Sequence, residues 1–147
     1  MSGQAPEVIL VEDDLVAVMG VERAFAKLAF KNPLRVVRDA HDALALFRGA
    51  SVASPPARPA VLILDLDLPG LSGLELLEEL RRDPGLGETA VFVLTTSRDP
   101  SDREAALALG VTGFLVKTNF IDEMRSIASL VGSEEIDGHT LLTAHQP

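Results

Sequence analysis

Cysteine is absent from the 147 residues, which removes disulfides, thiolate metal sites, iron–sulfur clusters and thiol nucleophiles together. That absence agrees with a cytoplasmic protein. Tryptophan and tyrosine are also missing, and six phenylalanines supply all the aromatic content, so the core must be aliphatic. Basic residues are scarce: 13 Lys and Arg against 22 Asp and Glu leave a net charge of −9. This balance, with no basic stripe carrying aromatics, argues against direct nucleic-acid binding. No apolar run approaches the ~18–20 residues of a membrane span, so no membrane contact is expected. The opening MSGQAPE lacks the basic-then-apolar pattern of a signal peptide. His41, His139 and His145 are scattered without metal-ligand spacing. What is present is ordinary for one globular domain, with 47% apolar and 24% charged residues. A chain of this length hides roughly 68–70% of its unfolded surface without staples.

Hydropathy alternates regularly along the chain. Glu7 to Glu12 (EVILVE) is a short apolar run bounded by acids and reads as a buried strand. Asp14 is placed to cap a helix from Leu15 to about Lys31, where Val18, Val21, Phe25 and Leu28 recur on one face. Asn32-Pro33 stops it, because proline disfavours the helical region for the residue before it. Leu34 to Arg38 is a second strand, and Asp39 to Arg48 a helix carrying Ala43, Leu44 and Phe47 at helical spacing. Gly49 to Pro59 is the only loop of any length. Ala60 to Leu64 (AVLIL) is the most apolar strand and belongs at the centre. Ser72 to Arg82 is a helix with Leu74, Leu77 and Leu80 inward, and Ser72 and Glu75 have capping-box spacing. Ala90 to Leu94 is a fourth strand, and Ser101 to Leu109 a fourth helix closed by Gly110. Val111 to Val116 is a fifth strand and Asn119 to Val131 a fifth helix.

Strands alternating with helices imply an α/β fold, a doubly wound five-stranded parallel sheet with right-handed crossovers. Ligands of such sheets bind outside the carboxyl ends of the strands. The first strand ends in Glu12-Asp13-Asp14, and the third in Asp65 with Asp67 two residues on. The fourth ends in Thr95-Thr96-Ser97 and the fifth in Lys117. Taken singly, each has a bland reading as a solvated loop acid, a strand threonine or a surface lysine. Together on consecutive strand ends they describe one cleft. Carboxylates gathered there repel and call for a cation, and an all-oxygen donor set selects a hard ion such as Mg²⁺. A lysine and a hydroxyl facing that ion would clamp a tetrahedral trianion, which is most of what phosphoryl transfer requires. Asp65, ending the central strand, is the natural nucleophile.

The stretches VILVEDD (Val8 to Asp14), LILDLDLPGLSG (Leu62 to Gly73), VFVLTTS (Val91 to Ser97) and GFLVKT (Gly113 to Thr118) in this order resemble the receiver domains of two-component response regulators. The resemblance runs from about Glu7 to Val131. It implies a flavodoxin-like (βα)5 fold with strand order 2-1-3-4-5, and phosphorylation of Asp65 by a sensor histidine kinase. It implies Mg²⁺ held by Asp13, Asp65 and the backbone carbonyl of Asp67, with Glu12 acting through water. Thr95 matches the switch hydroxyl, Lys117 the phosphate-pairing lysine and Phe114 the switch aromatic, although core packing accounts for Phe114 equally well. Two departures stand out: Thr118 replaces the usual proline after the lysine, and Phe114 lacks a phenol oxygen.

LRRDPGLGETAVFVLTTSRDPSD, the Lys117-Thr118 step and a short tail resemble the phytochrome-associated single-domain regulators. That narrower resemblance implies a bacterial phytochrome as kinase and a homodimer through the fourth and fifth helices and the fifth strand. Phe120, Met124, Ile127 and Val131, broadened by Ile121, Ala128 and Leu130, supply an apolar stripe for it, and packing on the sheet is the competing use. Residues 1–132 are expected to form the receiver and 133–147 a tail without an output domain. No enzymatic activity is expected beyond slow self-dephosphorylation. One alternative is a haloacid-dehalogenase-type phosphatase, whose DxD loop Asp65-Leu66-Asp67 resembles. Another is a degenerate receiver serving only as an interaction module.

Overall fold

The structure is a computed structural model describing residues 7–49, 60–68, 70–83, 86–87, 89–95, 100–116 and 121–122, with the backbone alone for Ala60, Thr95 and Val116. Five strands alternate with helices: β1 (Glu7–Val11), α1 (Leu15–Lys27), β2 (Leu34–Val37), α2 (Ala40–Phe47), β3 (Ala60–Asp65), α3 (Gly73–Arg82), β4 (Ala90–Thr95), α4 (Pro100–Ala108) and β5 (Gly113–Val116). The strands form one parallel sheet in the order β2-β1-β3-β4-β5, the doubly wound topology expected. Among the described residues no helix is long and apolar enough to cross a membrane.

The centre of the sheet explains the composition of its strands. Val8 to Val11 in β1 and Val61 to Leu64 in β3 are buried on both faces, so their side chains are continuously aliphatic rather than alternating. On one face Val8, Leu10, Val61, Ile63, Phe92, Leu94 and Leu115 receive Val21, Ala24 and Phe25 of α1, with Ile121 packed at the margin. On the other, Ile9, Val11, Leu62, Leu64 and Val91 receive α2 and α3. Each fully buried Leu or Ile there contributes roughly 1.5–3 kcal/mol relative to an exposed one.

Two local expectations are corrected by tertiary contacts. Helix α1 ends at Lys27, four residues before the expected Lys31. Ala29 takes φ 55°, and the Ala29 and Phe30 amides donate to the Ala26 and Phe25 carbonyls at 3.2 and 3.0 Å. This closes the helix in a Schellman turn, with the Phe30 ring folded onto Phe25 at a centroid distance of 4.9 Å. The aromatic contact offsets the cost of a left-handed alanine, so the helix stops well before Pro33. In α3 the fully buried leucines are Leu76, Leu77 and Leu80, while Leu74 is only half-buried against a smaller cluster. The remaining boundaries move by a residue or two: β2 stops at Val37, Asp65 and Thr95 belong to their strands, α4 starts at Pro100, and β5 begins at Gly113. The Asn119 to Val131 helix, apart from Ile121 and Asp122, and the tail lie outside the described residues.

The capping box at the start of α3 forms as its spacing predicts. The Glu75 amide donates to Ser72 Oγ at 3.2 Å, and the Ser72 amide to Glu75 Oε1 at 3.0 Å. Those bonds hold the Glu75 carboxyl below the usual range, with a small contribution from His41. At the other end of α3, Arg81 reaches out of the helix to four backbone carbonyls. Its guanidinium donates to Leu109 at 2.6 Å, Thr89 at 2.8 Å, Gly87 at 2.9 Å and Gly110 at 3.1 Å. One side chain thus ties the end of α3 to the β4 entry and to the turn that closes α4, where Gly110 adopts φ +76°. Burial lowers the Arg81 pKa, but an arginine remains charged at neutral pH. Replacing Arg81 with Met leaves these carbonyls without their donor and is expected to lower stability by about 2–3 kcal/mol, read from the urea midpoint.

Candidate functional site

The parallel register brings the carboxyl ends of β1 and β3 side by side, with Val11 opposite Leu64. This is the point where the strand order reverses direction, since β2 lies on one side of β1 and β3 on the other. Glu12 directly follows β1. Its amide donates to the Val37 carbonyl at 3.0 Å, which extends the β1–β2 ladder by one bond and fixes the backbone at the mouth of the crevice. Its side chain is fully buried, and Oε2 accepts the Asp14 amide at 3.1 Å. Asp14 turns away to cap α1, accepting the Val16 amide at 2.9 Å, so the third acid of the run serves the helix.

Asp65 closes β3 and is 2% exposed. Its Oδ1 accepts the Asp67 amide at 3.0 Å, an Asx-type bond that sets the direction of the carboxylate. Carboxylate oxygens of Glu12, Asp13 and Asp65 lie within 4.8 Å of one another, two of the three side chains buried and Asp13 exposed at the entrance. The Asp67 side chain stands outside that trio and is exposed, so its part at the site is through its backbone.

This donor set fits a divalent cation. Carboxylates taken out of water so close together are costly without positive charge nearby. Oxygen ligands alone suit a hard ion such as Mg²⁺, Mn²⁺ or Ca²⁺ and do not suit zinc or copper. Asp13 is the member of the trio that faces solvent.

The backbone of α3 presses against the same strand end. A Cβ built on Gly73 would lie 2.5 Å from the Asp65 carbonyl oxygen and 2.7 Å from the Leu66 Cα. Any larger residue there would push the helix off the strand that carries Asp65. Sequence reading passes over Gly73, because glycine at the start of a helix looks like a simple weakness of propensity.

Thr95 is the last residue of β4, paired with Val116 of β5 and one step beyond Leu94, the partner of Asp65. Its backbone therefore stands at the same edge of the sheet as Asp65. Lys117 lies outside the described residues. Phe114 sits in β5 opposite Val93, half-buried, and packs on Leu66, Val93 and Ala106. The Arg103 guanidinium of α4 lies over its ring, 4.3 Å from the centroid. Sequence reading does not reveal that pairing; its only signal is that Arg103 and Ala106 share a helix face.

Comparison with known proteins agrees with this geometry. The family of response regulator receiver domains matches residues 8–129. The probable methanogenesis regulatory protein FilR2 of Methanothrix harundinacea is 32% identical over 124 residues, covering 84% of this chain and 79% of the relative. Response regulator Rcp1 of Synechocystis is 28% identical over 137 residues, 93% of each chain. Among solved structures, the phosphorylated cyanobacterial phytochrome response regulator RcpA superposes with a TM-score of 0.79 at 26% identity, covering 89% of this chain and 97% of RcpA. The Mn²⁺-bound form of Rcp1 gives 0.76 at 29% identity, covering 84% and 92%. The acid crevice at the switch point of a 2-1-3-4-5 sheet, together with a family match over most of its length, makes this chain a member of the response regulator receiver family of two-component signalling.

Proposed function

We propose that Asp65 is the phospho-acceptor, receiving a phosphoryl group from a phosphohistidine of a sensor histidine kinase. The observation that carries this reading is the convergence of Glu12, Asp13 and Asp65 at the crevice, with Asp65 ending the central strand. A carboxylate oxygen of Asp65 forms the new O–P bond as the N–P bond breaks, and the imidazole leaves with the electron pair. The Asp67 amide holds the other carboxylate oxygen during the attack. Asp13, Asp65 and the Asp67 carbonyl would hold Mg²⁺, with Glu12 assisting through water. When bound, the ion neutralises charge on the phosphoryl oxygens. Thr95 donates its hydroxyl to a phosphoryl oxygen and Lys117 pairs with another, and Phe114 follows the movement of Thr95. The phosphoryl group is then lost slowly by hydrolysis, so the protein works as a switch rather than as an enzyme with turnover.

The similarity to RcpA, described as a cyanobacterial phytochrome response regulator, supports a phytochrome-type kinase as the donor. We place this chain in the cytoplasm. The homodimer through the fourth and fifth helices and the fifth strand is supported, among the described residues, by Leu107, which is 54% exposed on α4. Light scattering at high micromolar concentration is expected to report a dimer, and a monomer both with and without phosphorylation excludes it.

Incubation with acetyl phosphate and Mg²⁺ is expected to add about 80 Da, one HPO₃ group, to the natural chain and nothing to Asp65→Asn, read by intact mass. A phosphorylated Asp65→Asn species would place the acceptor elsewhere. Calorimetry is expected to find weak Mg²⁺ binding that disappears in Asp13→Ala. Glu12→Gln should cost less, about 10–100-fold, as befits a residue that orients a ligand water. Unchanged affinity in Asp13→Ala removes that residue from the metal site.

A further inference from the structure

Helix α4 has the weakest grip on the sheet of the four described helices. Of its nine residues only Ala106 is buried, whereas α3 sinks Leu76, Leu77 and Leu80 completely. Beyond its C-terminal end, Arg81 holds the Leu109 and Gly110 carbonyls. In its middle, Ala106 packs with Leu66 and Val93, and Phe114 leans on the same small cluster. In its first turn, the Arg103 guanidinium lies over the Phe114 ring with Cζ 4.3 Å from the centroid. Arg103 and Ala106 are three residues apart and so share one face of the helix. A cation within ~6 Å of a ring centroid is attracted by the negative face of the ring. That stack is therefore a side-chain tie between the first turn of α4 and β5.

We propose that the Arg103–Phe114 stack is a latch that holds α4 and Phe114 in the unphosphorylated arrangement and is released on phosphorylation. The proposal rests on the reading of Asp65 as acceptor and of Thr95 as the residue that responds. Thr95 ends β4, and α4 begins only five residues later at Pro100. A displacement of Thr95 toward Asp65 is passed to the first turn of α4, which carries Arg103. The opposite end cannot follow, because Arg81 ties it to α3 and to the β4 entry. The helix swings about that clamped end, so its first turn travels furthest and draws Arg103 off the ring. An interaction made in only one of two states shifts their equilibrium by its own free energy, so the latch sets how much of the phosphorylated-type arrangement is populated beforehand.

Arg103 is exposed, so its replacement leaves no cavity. The test titrates the natural chain, Arg103→Gln, Arg103→Lys, Phe114→Leu and the Arg103→Gln/Phe114→Leu double variant with beryllofluoride at saturating Mg²⁺, by calorimetry. Arg103→Gln is expected to bind beryllofluoride about two- to fivefold more tightly than the natural chain, the size of one exposed cation–ring contact. Arg103→Lys keeps the cation and should stay within about twofold of the natural chain. In the Phe114→Leu background, Arg103→Gln should change nothing. Unchanged or weaker binding by Arg103→Gln overturns the latch, as does an equal gain in Arg103→Lys or a gain that survives in Phe114→Leu. Binding that persists in Asp65→Asn, or no binding by the natural chain, overturns the acceptor reading and the latch with it. Asp65-dependent binding without the Arg103→Gln gain overturns the latch alone.

Discussion

Glu12 and Asp65 end neighbouring parallel strands, are almost inaccessible to water, and bring carboxylate oxygens within 4.8 Å of each other. Two charges at that separation repel by about 3–4 kcal/mol at an effective dielectric near 20, before any cost of leaving water is counted. A chain would not gather acids there unless surrounding structure held them and a cation relieved them. The holding comes from β1 and β3, whose aliphatic side chains are buried on both faces and resist any slip of register. A one-residue slip would turn every side chain of the strand to the opposite face, so the positions of Glu12 and Asp65 are secured by the whole core.

Local bonds then divide the work among the acids. Asp14 is consumed by the cap of α1, Glu12 accepts the Asp14 amide, and Asp65 accepts the Asp67 amide. Only Asp13 faces solvent within the trio. The trio is thus buried at Glu12 and Asp65 and reaches solvent at Asp13, which suits a site that an ion enters from solvent. The order of the acids along the chain also separates two chemistries that share the phrase Asp65-Leu66-Asp67. In this fold the partners of Asp65 lie before it in the chain, directly after β1, as a receiver requires. A dehalogenase-type phosphatase needs a further acid after the lysine, and the family match over residues 8–129 is to receivers.

The alternation of strands and helices and the acid trio are legible in the sequence, because each depends on local period or on the ends of apolar runs, whereas the sheet order is implied only by the resemblance to receiver domains. What is not legible depends on contacts between distant residues. The end of α1 is set by Phe30 returning to Phe25, a packing event that no helix propensity encodes. Arg81 and the carbonyls of Leu109 and Gly110 are nearly thirty residues apart, and Arg103 meets Phe114 across a turn and a strand boundary. Gly73 illustrates the same limit from the opposite side. In the sequence it is a poor helix residue, and in the fold it is the one residue small enough for α3 to rest on the Asp65 backbone. Within the site itself, Glu12, Asp13 and Asp65 meet as the spacing implied, and Thr95 reaches the same sheet edge through the β3–β4 register.

The two sides of the crevice differ in how firmly their helices are held to the sheet. On the side of β1 and β3, a Schellman turn closes α1, a capping box opens α3, and both helices bury large side chains on the sheet. On the side of β4 and β5, α4 contributes one buried alanine and relies on arginines at either end of its length. A cation–ring contact at a surface is worth on the order of 1 kcal/mol, far less than a row of buried leucines. A phosphoryl group brings nearly two negative charges to the floor of the crevice, enough to reorganise contacts of that size but not the aliphatic core. On the proposed phosphorylation of Asp65, α4 is the element whose contacts are weak enough to yield while the acid trio stays in place, which would put the readout on the α4–β5 face.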